Sequence, residues 1–153
     1  MNESKFQYVI YIRSSADKVW DGLTNSDLTR RYWCEVTMES DWKQGSSWRM
    51  LAPNGKVADS GEVLEIDRPK RLVLAWQHQL MPDLKAEGVT RAVFELEQLG
   101  DTVKLTVTHS IDHENSNLIA QFANGWPPLL SSLKSLLETG EPLSMTTKWP
   151  EGM

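Results

Sequence analysis

The stretch Gly125-Trp126-Pro127-Pro128-Leu129-Leu130-Ser131-Ser132-Leu133-Lys134-Ser135-Leu136-Leu137-Glu138-Thr139-Gly140 decides the fold. Leu129, Leu130, Leu133, Leu136 and Leu137 recur at steps of three and four, so they share one face of a helix, while Ser131, Ser132, Lys134, Ser135 and Glu138 take the other. Pro127 suits the first helical turn and Gly140 the position just past the end, which predicts a helix beginning near Pro127. One amphipathic helix therefore closes the chain. It needs an apolar surface to cover, and nearly everything upstream reads as strands that would supply one.

Working outward, Phe6, Tyr8, Ile10 and Ile12 alternate with Gln7, Val9, Tyr11 and Arg13, the period of a half-buried strand. Ser14-Ser15-Ala16-Asp17 then offers a helix cap, with Asp17 three residues after Ser14, and Ala16, Val19, Trp20 and Leu23 form an apolar stripe. Thr24-Asn25-Ser26-Asp27 breaks this helix and caps a second short one, which runs through Leu28, Arg30 and Arg31 and delivers Tyr32-Trp33. Six further strands are predicted near residues 34–39, 46–51, 56–66, 71–78, 89–98 and 102–111. Lys43-Gln44-Gly45, Pro53-Asn54-Gly55, Asp67-Arg68-Pro69-Lys70 and Leu99-Gly100-Asp101 separate them, and connections this short make neighbours antiparallel. Residues 79–88, with Pro82, read as an irregular loop. Leu72, Leu74, Trp76 and His78 share one side, as do Ala92, Phe94 and Leu96, then Val103, Leu105, Val107 and His109. Arg91, Glu95, Glu97, Lys104, Thr106 and Thr108 form a wet opposite side.

This order resembles the helix-grip fold of the START-like superfamily, also called SRPBCC. Arg31-Tyr32-Trp33, Ser40-Asp41-Trp42-Lys43-Gln44-Gly45-Ser46, Gly61-Glu62-Val63-Leu64-Glu65, Pro69-Lys70-Arg71-Leu72-Val73-Leu74-Ala75-Trp76 and Gly125-Trp126 with the leucine helix are similar to the AHSA-type group within it, the homologues of the activator of heat-shock protein 90 ATPase. The resemblance implies an α+β fold of Bet v-like form. A curved antiparallel β-sheet wraps a long C-terminal α-helix, with two short helices after the first strand. The corresponding domain is residues 1–143, with a tail at 144–153; from Glu141 onward, Pro142, Pro150 and exposed-looking Trp149 suggest loose order. Cys34 stands where the resemblance implies a larger, often aromatic residue, which would widen a cavity mouth.

Composition narrows the function. The 153 residues, 40% of them hydrophobic, bury one core and are too few for two ordinary domains. A net charge of −5 argues against nucleic acid and gives no basic stretch for anionic lipid. The N-terminus lacks an apolar signal core, and no stretch approaches the ~20 apolar residues that span a bilayer. A lone cysteine, Cys34, forms no internal disulfide, so a cytoplasmic protein is the default.

In the superfamily, the space between sheet and long helix is commonly a pocket for lipids, polyketides, hormones or aromatic compounds. Trp33, Trp48, Met50, Trp76, His78, Phe94, His109, Phe122 and Trp126 are the candidates here to surround a small apolar or aromatic molecule. The competing reading is that they simply fill the core. His78 and His109 each end an apolar strand face, where a polar tip would reach a cavity. His109 and His113 are four apart, metal spacing on a helix, but their segment reads as strand into loop, so no metal is assigned. No phosphate loop, serine elbow or dinucleotide fingerprint is present, and no cofactor is implied. Asp59 can face the cavity, yet the sequence places no second carboxylate or base beside it, so no catalytic residue is assigned. The expected function is therefore small-molecule binding. A cofactor-independent enzyme of the polyketide cyclase or dehydratase type, and a co-chaperone domain acting on heat-shock protein 90, are the alternatives that the resemblance leaves open. Trp42 and Trp149, if outside the core, leave a homodimer open as well.

Overall fold

A computed structural model describes residues 2–153. The chain begins with β1 (Ser4–Ile12), whose Ile10 and Ile12 are buried while Val9 and Tyr11 face water. Helix α1 (Ala16–Thr24) follows, and its N-cap is Ser15, whose hydroxyl accepts from the Lys18 amide at 3.2 Å, rather than Ser14. Asn25 caps α2 (Ser26–Tyr32) in the same way through the Asp27 amide.

Then comes the meander: β2 (Thr37–Ser40), β3 (Ser47–Leu51), β4 (Val57–Asp67), β5 (Arg71–His78), β6 (Thr90–Leu99) and β7 (Thr102–Ile111). Together with β1 they form one sheet in the order β1-β7-β6-β5-β4-β3-β2, every neighbouring pair antiparallel. The long helix α4 (Asn117–Thr139) lies across the concave face, burying Leu118, Ile119, Trp126, Leu130, Leu133 and Leu136. Gly140, at φ 86°, ends it in the left-handed region that glycine adopts without strain. This is the α+β helix-grip architecture that the leucine pattern and the strand alternation predict.

Four local expectations are corrected. Residues 34–36 are not strand, because Cys34 and Glu35 adopt φ of 49° and 63° and turn the chain before β2 starts. The segment after β5 is not wholly irregular: Pro82–Lys85 forms a single-turn helix, α3, with proline at its start, where its missing amide costs nothing. The closing helix starts at Asn117, well before Pro127, under a Ser116 cap that accepts from the Ile119 amide at 3.0 Å. Leu118, Ile119 and Phe122 extend the apolar face upstream, and this burial outweighs the two rungs lost where Pro127 and Pro128 cannot donate. The end of the chain is not loose. Cys34 donates its amide to Thr146 O at 2.7 Å and Leu143 to Ser132 Oγ at 2.9 Å, and both Trp42 and Trp149 fold back against their own core.

One glycine is required by close approach. The Trp48 indole on β3 crosses Gly61 on β4 to donate to Ala75 O on β5 at 3.0 Å. A Cβ at Gly61 would lie 1.7 Å from that same carbonyl oxygen and 2.9 Å from the indole nitrogen. Gly61→Ala must therefore separate two backbone strands, and we expect a loss of at least about 3 kcal/mol in a urea unfolding titration. A loss under about 1 kcal/mol would show that the sheet accommodates the methyl by a small shift.

Candidate functional site

Between the concave face of the sheet and α4 lies a cavity in two adjoining chambers. The outer one, about 330 Å³, has walls that include Trp33, Met50, Asp59, His78, Phe122 and Gly125, with Cys34, Trp149, Pro150 and Met153 round its mouth. The inner one, 90 Å³, is bounded by Trp33, Met50, Asp59, Trp76, Phe122, Gly125, Trp126 and Leu129. A larger depression of 510 Å³ on the outer face is lined by Asp67, Lys70, Arg71, Glu95, Glu97 and Lys104, an open and charged surface.

Of the nine residues singled out from the sequence, Trp33, Met50, His78 and Phe122 line the outer chamber, and Trp76 and Trp126 the inner. Trp48, Phe94 and His109 stand behind the wall. Trp48 is held by its bond to Ala75 O, and Phe94 meets Trp126 edge to face with ring centroids 5.6 Å apart. Trp76 sits at the centre of the cluster, packing edge to face on Trp48 at 4.7 Å, on Phe122 at 5.8 Å and on Trp126 at 5.9 Å.

His109 is fully buried, at 0% exposure, and its role is structural. Trp126 Nε1–H points at His109 Nδ1 at 3.2 Å, so Nδ1 is the acceptor and the ring proton belongs on Nε2. That proton is donated to Thr90 Oγ1 at 2.7 Å, and the Thr90 hydroxyl is donated in turn to Trp76 O at 3.0 Å. Phe122 stacks on the imidazole at 3.8 Å. With both nitrogens committed to protein partners, burial lowers the His109 pKa to about 3. His113, four residues on, leaves the strand and turns to Glu87, Nε2 to Oε1 3.5 Å.

What the sequence left unpaired, the sheet register pairs. Asp59 on β4 is opposite His78 on β5, and Asp59 Oδ1 accepts from His78 Nδ1 at 3.1 Å and from Trp76 Nε1 at 2.9 Å. His78 Nε2 accepts from the Met81 amide at 3.1 Å, which places the ring proton on Nδ1, facing Asp59. Asp59 is only 8% exposed, and its burial raises the carboxyl pKa against the lowering effect of the His78 and Trp76 hydrogen bonds. Among the described residues, Asp59 Oδ2 has no hydrogen-bond partner. At the mouth, Trp149 Nε1 is the one buried side-chain nitrogen or oxygen among the described residues without a hydrogen bond. Burial, and then the charge of Glu35, raise the pKa of the Cys34 thiol at the same rim.

Residues 13–138 match the family model of activator of Hsp90 ATPase homolog 1-like proteins. No curated protein matches the chain. Among solved structures, it is similar to the Aha1 dimer from Colwellia psychrerythraea, with 27% identity, 90% of this chain and 98% of that one covered, and a TM-score of 0.71. The HSP90 activator PFC0360w from Plasmodium falciparum shares the fold at 18% identity, covering 87% and 95% of the two chains with a TM-score of 0.70. CalU16 from Micromonospora echinospora does so at 18% identity, 89% and 77% coverage and a TM-score of 0.69.

The buried imidazole makes the fold acid-sensitive in a defined window. Between its unfolded value of 6.5 and its folded value of about 3, residue 109 binds a proton in the unfolded chain but not in the native one. Stability contributed by the neutral ring is thus complete above pH 6.5 and declines as pH falls toward 3. His109→Gln, less stable at neutral pH by about 1–3 kcal/mol for the groups it leaves unpaired, should lose less on going from pH 7 to pH 4.5 in paired urea titrations. Equal losses in the two proteins would mean that His109 carries a proton in the native state.

Proposed function

The chain belongs to the family of activator of Hsp90 ATPase homolog 1-like proteins, and from that premise we propose that it binds a small apolar or aromatic molecule in the cavity beneath α4. The observation that carries this reading is the two-chambered cavity, walled by Trp33, Trp76, Phe122 and Trp126 with Asp59 and His78 as its convergent polar groups. A domain with a filled core would leave no such space beside those rings. The expected ligand is compact. At about 330 Å³ the outer chamber lies at the lower end of the usual range for small-molecule sites.

A homodimer is the assembly we propose, supported by the likeness to the Colwellia Aha1 dimer. An action on heat-shock protein 90 is a second reading, supported by the family description and by the similar activator from Plasmodium falciparum. It calls for an outward contact surface and does not account for the cavity.

Gly125 provides a clean test, because it lies on both chamber walls and a Cβ there meets nothing within 4 Å. Gly125→Leu should fill the cavity while gaining roughly 0.5–1 kcal/mol of helix propensity, so the fold survives the substitution. Native mass spectrometry of gently purified protein is expected to show an added mass that is lost on denaturation. A hydrophobic fluorescent probe should bind the unmodified protein, and Gly125→Leu should abolish both signals. Bare polypeptide mass with no probe uptake by the unmodified protein would overturn the cavity reading in favour of the protein-contact one.

A further inference from the structure

We propose that the molecule held in this cavity is an organic cation, a protonated amine on an apolar or aromatic body, with its nitrogen seated against Asp59. This rests on the cavity being a binding site and adds the chemical class of what binds.

The inference starts from charge. Asp59 is on the wall common to both chambers, and among the described residues it is the one acidic side chain lining either of them. Among the described residues, no lysine or arginine lines either chamber. The neighbouring histidine does not supply the missing cation, because His78 Nε2 accepts from the Met81 amide and its single proton is the one already shared with Asp59 Oδ1. Oδ1 is thus occupied by two N–H donors, and among the described residues Oδ2 is left with lone pairs and no partner. Burial disfavours the ionised form of Asp59, and a ligand cation with a hydrogen to donate would stabilise that form against protonation.

The rest of the wall suits that cation. Trp33, Trp76, Phe122 and Trp126 surround the inner chamber, and rings of this kind attract a cation within about 6 Å of their faces. Two of these indoles have their N–H edges committed elsewhere, Trp76 to Asp59 and Trp126 to His109. Neither is available to donate to an anionic ligand. The inner chamber's 90 Å³ corresponds to about three water volumes, room for an ammonium head but not for a body, which would extend into the outer chamber. A carboxylate or phosphate head would meet Asp59 with like charge and find no lysine or arginine among the described residues on either wall.

The experiment is a titration of the purified full-length protein with three isosteric probes, 4-phenylbutylamine, 4-phenylbutanol and 4-phenylbutanoate, followed by calorimetry. The amine is expected to bind at least tenfold more tightly than the alcohol, and the carboxylate not to bind measurably. Asp59→Asn is expected to bring the amine's affinity down to that of the alcohol, and an amine preference that survives in a folded Asp59→Asn would overturn the assignment to Asp59. Equal or weaker binding of the amine relative to the alcohol, in the unmodified protein, would overturn the cation class while leaving the cavity reading intact. Failure of all three to bind would overturn both. Because the comparison of amine with alcohol needs no variant, it holds even if Asp59→Asn folds poorly.

Discussion

An indole ring brings a large apolar surface and one N–H that cannot be buried without a partner, and much of this fold is arranged around that requirement. Trp126 on α4 is the clearest case. Its N–H reaches His109 on β7, which passes the demand to Thr90 on β6 and so to the backbone of Trp76 on β5. One directed chain of donors and acceptors ties the closing helix to three adjacent strands. Hydrophobic burial alone would let α4 slide along its leucine face. The chain of hydrogen bonds fixes its position, because any displacement orphans several buried polar groups together.

The same requirement explains the neighbouring elements. Trp48 satisfies its N–H on Ala75 O only because Gly61 leaves the passage open. Trp76 satisfies its own on Asp59, which accounts for an acidic residue on the concave side of β4. Rings held at both face and edge cannot collapse freely to fill space, and the chambers beside Gly125 are bounded by rings fixed in this way. Rigid walls and a residual cavity follow from one cause.

How much of this was legible in the sequence depended on which interaction carried the information. The leucine spacing of α4 and the alternation in β5, β6 and β7 are side-chain patterns, and the sheet, its concave face and its cover follow from them. The start of α4 was not legible, because Pro127 is a strong local signal while the upstream face of Leu118, Ile119 and Phe122 gains its value only when packed. The anchoring of residues 144–153 runs through backbone groups such as Cys34 N and Thr146 O, which leave no signature in side-chain type. Asp59 and His78 were each visible singly as polar residues on apolar strands. Their pairing was hidden by the irregularity between Val63 and Glu65 on β4, which shifts the register with β5 by one residue. Counting back from the Asp67 to Lys70 turn in unbroken register would have set His78 opposite the wrong partner and the wrong face.

The two histidines show how far environment, rather than residue type, sets chemistry. Both end apolar strand faces, and in sequence they are equivalent candidates. His109 is enclosed by Trp126, Phe122 and Thr90, with both nitrogens consumed, so its ring is held neutral and inert as a joint between helix and sheet. His78 sits at the cavity wall with one nitrogen on a backbone amide and the other on Asp59, whose second oxygen remains unspent. Only the second arrangement leaves polar capacity facing a space that a ligand can enter. The carboxylate, positioned by the histidine and the indole behind it, is therefore the polar group that the proposed cation would meet.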